Sequence, residues 1–174
     1  MKKVLILLIV SITILFSFSI IKITNEPNNF INKFKIINNN DSDVIGNIKI
    51  NSLNINEDLY KLESEDNNVD KHITILKESI FPDEDNSIIF IAAHSGTGSI
   101  AYFKDLDKLK KGDTIVLTIK NKKYLYVVKE SWEEPKNGYI NVNKDVENQL
   151  ILTTCSPNNY KKQLIVNCIE KESY

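Results

Sequence analysis

The sequence predicts a mainly β domain, short strands closing into a barrel with one or two short helices, preceded by an N-terminal transmembrane helix. Two observations carry this. From Val44 onward, short apolar segments with period-two alternation recur between turns rich in Asn, Gly and Lys, the pattern of half-buried strands. Ahead of them, Val4–Ile21 is an eighteen-residue run without a charge, whose only polar side chains are Ser11, Thr13, Ser17 and Ser19. At the helical rise this run reaches roughly 27 Å, enough for a bilayer core.

Lys2 and Lys3 precede the apolar run, which favours a cytoplasmic N-terminus and an exported remainder. No small-x-small cleavage site closes the run, so the expectation is a retained single-pass anchor in the cell membrane with the folded part extracellular. The chain then divides into a cytoplasmic tip and anchor at residues 1–24, an Asn-rich stalk at 25–43 and a folded domain at 44–174. About 130 residues are enough for one ordinary hydrophobic core.

Within the domain, Ile45-Gly46-Asn47-Ile48-Lys49-Ile50 alternates apolar and polar residues and starts the sheet. Shorter strand candidates follow at Leu53–Ile55 and His72–Leu76. Ser87–Ala93 is a continuous buried-type run. Ile100–Leu109 reads as a short amphipathic helix, closed by Lys110-Lys111-Gly112. Thr114–Lys120 and Lys123–Lys129 read as a hairpin turning at Asn121-Lys122. A long loop, Glu130–Asn148, leads to strands at Leu150–Thr154 and Gln163–Ile169. A loop of that length beside a strand end is a natural substrate wall. Short strands, few helices and no internal repeat point to the barrel.

The formal net charge is −1, and the domain is mildly acidic once Lys2, Lys3 and Lys22 are set aside. With no basic patch and no interleaved aromatics, nucleic acid is excluded as a partner. The chain contains no arginine, which bears on the site below.

Chemistry concentrates at Cys155, which ends the apolar strand Leu152-Thr153-Thr154, and at His94 in Ala92-Ala93-His94-Ser95-Gly96. A thiol held at a strand end is both reachable and rigidly placed, and an imidazole can help form its thiolate and protonate a leaving group. The second cysteine, Cys168, shares an alternating face with Leu164 and Val166, opposite Gln163, Ile165 and Asn167. That pattern packs Cys168 into the core and disfavours a Cys155–Cys168 disulfide. The two cysteines and two histidines lack metal-ligand spacing, so no metal and no cofactor are expected. His72 has no catalytic partner nearby in the sequence and reads as a surface residue or one that supports the site from behind. The acidic runs Glu63-Ser64-Glu65-Asp66 and Asp83-Glu84-Asp85 lack the spaced ligands and central Gly of a calcium loop and read as solvated.

The order Ile45-Gly46-x-Ile48-x-Ile50, Ala93-His94-Ser95-Gly96, Tyr102-Phe103-Lys104-Asp105-Leu106, Gly112-Asp113 and Leu152-x-Thr154-Cys155 resembles the sortases, across residues 44 to 170. The cysteine motif of that family is TLxTC, and Ile151 stands here where its first Thr is usual. The resemblance implies an eight-stranded barrel and a membrane-bound cysteine transpeptidase of Gram-positive bacteria. Such enzymes cleave an LPXTG-like sorting signal between Thr and Gly, and pass the acyl group to an amine of a cell-wall precursor or a pilin subunit. It further implies Cys155 as nucleophile and His94 as general acid and base. Gln163 stands where the family carries an arginine on the strand after the cysteine. A neutral amide can donate to an oxyanion but lacks the charge and fork of a guanidinium, and Lys161 or Lys162 is an alternative source of the cation. Thr154, Ser95 and Trp132 are candidate substrate contacts. A single anchor, with neither a second apolar span after Ile169 nor a lid motif in the stalk, favours a class D- or B-like enzyme. Two other readings are an L,D-transpeptidase-like Cys/His enzyme, whose Ser-x-Gly-Cys-x-Arg signature is absent, and a non-catalytic sortase-like peptide-binding domain.

Overall fold

Eight strands form one sheet: β1 Val44–Ile50, β2 Ile55–Tyr60, β3 Thr74–Ile75, β4 Ile88–Ala92, β5 Thr114–Ile119, β6 Lys122–Pro135, β7 Gln149–Cys155 and β8 Lys162–Ser173. The computed structural model describes residues 43–143 and 148–173, so the expected anchor, and the expected stalk up to Ser42, lie outside the described residues. Among the described residues no helix is long and apolar enough to cross a membrane. Strand order is β2-β1-β5-β6-β8-β7-β4-β3. The edge strands β2 and β3 approach each other without a ladder between them, so the barrel expected to be closed is nearly closed.

One apolar face of this curved sheet forms the core. Ile48 and Ile50 of β1, Ile89 and Ile91 of β4, Ile115 and Leu117 of β5, Leu150 and Leu152 of β7 and Val166 and Cys168 of β8 are fully buried there. Gly46 is required for the β1–β5 ladder, because a Cβ at that position would lie 1.8 Å from the Thr118 carbonyl oxygen. Both cysteines are free. Cys168 pairs with Leu150 and Val128, whereas Cys155 pairs with Gln163, five residues away along β8, or roughly 17 Å at the strand rise.

Four sequence expectations need correction. Leu53–Ile55 is not a strand: Asn51–Leu53 is a one-turn 3-10 helix, Asn54 takes the left-handed conformation with φ 55°, and β2 starts only at Ile55. The polar Asn56, Glu57 and Asp58 hid this strand from a hydrophobicity reading, and they suit an edge. Ile100–Leu109 is a chain of tight turns with a 3-10 helix at Leu106–Lys108. Its large buried residues Phe103, Leu106 and Leu109 recur every three positions, the 3-10 period, and the Phe103 N–H is drawn off to the His94 carbonyl at 3.0 Å. The β5–β6 hairpin turns one residue earlier than expected, at Lys120-Asn121, whose φ values of 49° and 68° suit a two-residue primed turn. The fourth concerns β6, which continues through Glu130 to Pro135 where a loop was expected.

The extension of β6 depends on a bulge. The register passes from Val128↔Cys168 to Glu130↔Asn167, leaving Lys129 as the extra residue. Before it, Tyr124, Tyr126 and Val128 point into the core. After it the same even parity points outward, so Trp132 opposes Ile165 and Glu134 opposes Gln163 on the outer face.

Candidate active site

Parallel pairing of β4 with β7 assembles the site, because neighbouring parallel strands end at the same edge of a sheet. Ala92 pairs with Thr153. Two residues further on both strands, that register brings His94 alongside Cys155. Strand β8 starts at the same edge with Gln163 directly opposite Cys155, and β6 ends there with Glu134 opposite Gln163. Four strand ends therefore present one outer-face row: Glu134, Gln163, Cys155 and His94.

Cys155 is partly exposed, and its sulfur lies 3.1 Å from Lys136 Nζ. Lys136 is the functional candidate that sequence reasoning missed. It follows Pro135 on the loop between β6 and β7, and its own N–H donates to the Lys161 carbonyl at 2.9 Å. The His94 ring does not bond the thiol; its Nε2 lies 2.9 Å from Asp70 Oδ1. Asp70 comes close because Thr74, four residues later, pairs with Ala92, two residues before His94. With Nε2 held by Asp70, Nδ1 is the ring nitrogen available to a substrate. The second histidine, His72, packs on the Tyr60 ring with centroids 4.7 Å apart.

The other expected site residues divide sharply. Thr154, expected at the substrate, is 6% exposed and its hydroxyl donates to the Ala93 carbonyl at 2.7 Å. Inward alternation makes it a strut between the strands that carry Cys155 and His94. Ser95 follows His94, half-buried. Trp132 lies on the outer face in the next row from Cys155, its Nε1 donating to Glu134 at 3.4 Å. Gln163 faces the thiol's row as expected, but both hydrogens of its amide are engaged, one by Glu134 Oε1 at 3.1 Å and one by the Tyr139 carbonyl at 2.6 Å. Expected to donate to an oxyanion, it instead holds the β6–β7 loop. Of the two lysines before Gln163, Lys162 reaches Glu133 at 3.7 Å and Lys161 lies over the Tyr160 ring at 5.9 Å. After the cysteine, Ser156 turns the chain by bonding Glu133 and accepting the N–H groups of Asn158 and Asn159 at 3.1 Å.

Behind this row an apolar cavity of about 460 Å³ opens on the outer face, lined by Leu76, Ile88, Phe90, Tyr139, Ile140 and Val142 among others. Phe90 pairs with Ile151, so the cavity lies four residues, or roughly 13 Å, along the strands from the row of His94 and Cys155. The loop after β6 forms its far wall, turning at Gly138 with φ 87°.

A nearly closed eight-stranded barrel, whose single parallel pair sets a histidine beside a cysteine, is the sortase architecture. The chain belongs to the sortase family, whose domain model matches residues 48–170; sortases are cysteine transpeptidases. Among solved structures, sortase C of Streptococcus pneumoniae matches with a TM-score of 0.65 at 24% identity, over 75% of this chain and 68% of that one. Sortase C1 of Streptococcus agalactiae matches with a TM-score of 0.64 at 28% identity, over 77% and 70%. Sortase C from Clostridium perfringens SM101 gives 0.61 at 27% identity, over 75% and 71%. Comparison with curated protein sequences finds no match.

Proposed function

We propose that this chain is a membrane-anchored sortase that cleaves an LPXTG-like sorting signal between Thr and Gly and transfers the acyl group to a cell-wall or pilin amine. The observation that carries the reading is the β4–β7 register, which aligns Cys155 with His94, together with the apolar cavity four residues along the same face. An extended peptide advances roughly 3.3 Å per residue. With the scissile Thr carbonyl at Cys155, the Leu of such a signal, three residues upstream, extends roughly 10 Å along this face toward the apolar cavity. Val4–Ile21 and the lysines before it support a single-pass anchor with the catalytic domain on the extracellular side.

In this reading the Cys155 thiolate attacks the Thr carbonyl carbon and the carbonyl electron pair moves to oxygen. Collapse of the oxyanion breaks the Thr–Gly bond, the departing amine takes a proton from His94, and a thioester remains. The neutral imidazole then accepts a proton from the incoming amine as it attacks the thioester, and the thiolate is released. The test is to incubate the full-length protein in detergent with a panel of LPXTG-like peptides and triglycine. The expected result is a Cys155 acyl adduct by mass, discharged by triglycine to the joined peptide. No adduct with any member of the panel refutes the reading.

A further inference from the structure

We propose that Lys136 is a catalytic residue, the cation that faces the thiolate and the developing oxyanion, and that Gln163 is the positioning residue that holds its loop. The proposal rests on the transpeptidase reading above for its substrate, though not for its first test. Lys136 Nζ is 3.1 Å from the Cys155 sulfur, the reacting atom, and among the described residues this is the only polar contact of its ammonium. An ammonium at that distance sets a positive charge against the reacting sulfur, and in the transpeptidase reading the same charge is within reach of the carbonyl oxygen that becomes anionic on attack. In a chain without arginine, the other nearby cations point elsewhere: Lys162 to Glu133 and Lys161 to Tyr160.

The loop is fixed on both sides of Lys136. Upstream, Glu134 is 8% exposed and accepts from Gln163 Nε2 at 3.1 Å and Asn141 Nδ2 at 3.0 Å. Downstream, the second hydrogen of the Gln163 amide reaches the Tyr139 carbonyl. One side chain on β8 thus ties residues 134 and 139 together, with Lys136 between them. An arginine at 163 would bring its own charge to the row of Cys155; a glutamine brings none, and what it holds in place is a loop that does.

The test uses the full-length protein in detergent and the rate of Cys155 alkylation by iodoacetamide at pH 7, read by mass, which needs no substrate. Lys136→Ala and Lys136→Gln are expected to slow alkylation by roughly 3–10-fold, with Lys136→Arg restoring most of the rate. Lys161→Ala should match the parent. An unchanged rate in both Lys136→Ala and Lys136→Gln overturns the cation assignment. Gln163→Ala should also slow alkylation, but add nothing further in a Lys136→Ala background, since it acts through Lys136. Multiplying effects overturn the positioning role and return Gln163 to direct contact with the reaction. Slowed alkylation in a protein that acylates with no peptide leaves the cation in place while the transpeptidase reading fails; peptide turnover with no Lys136 effect does the reverse.

Discussion

Replacing Thr154 by Val tests whether the alignment of Cys155 with His94 depends on a hydroxyl. The side chain is 6% exposed and donates to the Ala93 carbonyl at 2.7 Å, so a near-isosteric Val removes the bond without opening a cavity. What it leaves is a buried carbonyl without that donor, a loss of about 1–3 kcal/mol. For a domain of this size each kcal/mol lowers Tm by about 4 °C, so the expected fall is roughly 4–12 °C. Thr154→Ser keeps the hydroxyl and gives up one methyl, about 0.5–1.5 kcal/mol. Thermal unfolding followed by far-UV circular dichroism measures both variants. The kinetic expectation is sharper, because the strut joins the strands that deliver nucleophile and acid. At a temperature where both variants are folded, Val should lower kcat and Ser should not. A Val variant as stable as the parent, beside a weaker Ser variant, would show that the methyl group's packing matters and the hydroxyl does not.

Cys155→Ala should abolish peptide cleavage with little change in Tm, because the thiol is partly exposed at a strand end, while Cys168→Ala should lower Tm and spare turnover. Burial pushes the Cys168 thiol well up from its ordinary range, so iodoacetamide should label Cys155 alone in the folded protein; equal labelling by peptide mapping would contradict the buried placement. His94→Ala should cost on the order of 10²-fold or more in kcat, whereas His72→Ala, which loses only a packing contact with Tyr60, should stay within about twofold; comparable losses would mean that the wrong histidine has been assigned. Gly46→Ala forces a Cβ against the Thr118 carbonyl oxygen and should destabilise by more than about 2 kcal/mol in urea unfolding; a change below about 0.5 kcal/mol would refute the close approach of β1 and β5.

The parts of the fold visible in the sequence are those where burial and period agree. Strands β1, β4, β5 and β7 were recognisable because alternating or continuous apolar residues fill one core, and Cys155 and His94 stood out because each ends such a run. Alternation also held at β8: Leu164, Val166 and Cys168 join the core, while Ile165 and Asn167 lie on the other face, where they too are buried, at 0% and 2% exposure. The segment Ile100–Leu109 read as a helix because a spacing of three between the buried Phe103, Leu106 and Leu109 satisfies one face of an α-helix as well as a 3-10 turn.

Lys136 and Asp70 were not legible for a different reason. Neither belongs to a motif, and each reaches the site through a pairing that only the folded chain sets: Pro135 with Lys162 for the first, Thr74 with Ala92 for the second. The bulge at Lys129 made this harder to see, because it reverses the inside–outside parity of β6 in the middle of a polar stretch. Without the bulge, Trp132 and Glu134 continue the inward parity of Tyr124, Tyr126 and Val128, a poor prospect for a carboxylate, and the strand pattern stops. With the bulge, the same two side chains lie on the outer face, Glu134 in the row of Gln163 and Cys155 and Trp132 in the next row. Glu134 can then meet the amide of Gln163, and the strand runs on far enough to deliver Lys136 to the thiol. One extra residue in β6 thus determines which charged groups reach the site, and removing it would turn Glu134 toward the apolar core and carry Lys136 away from Cys155.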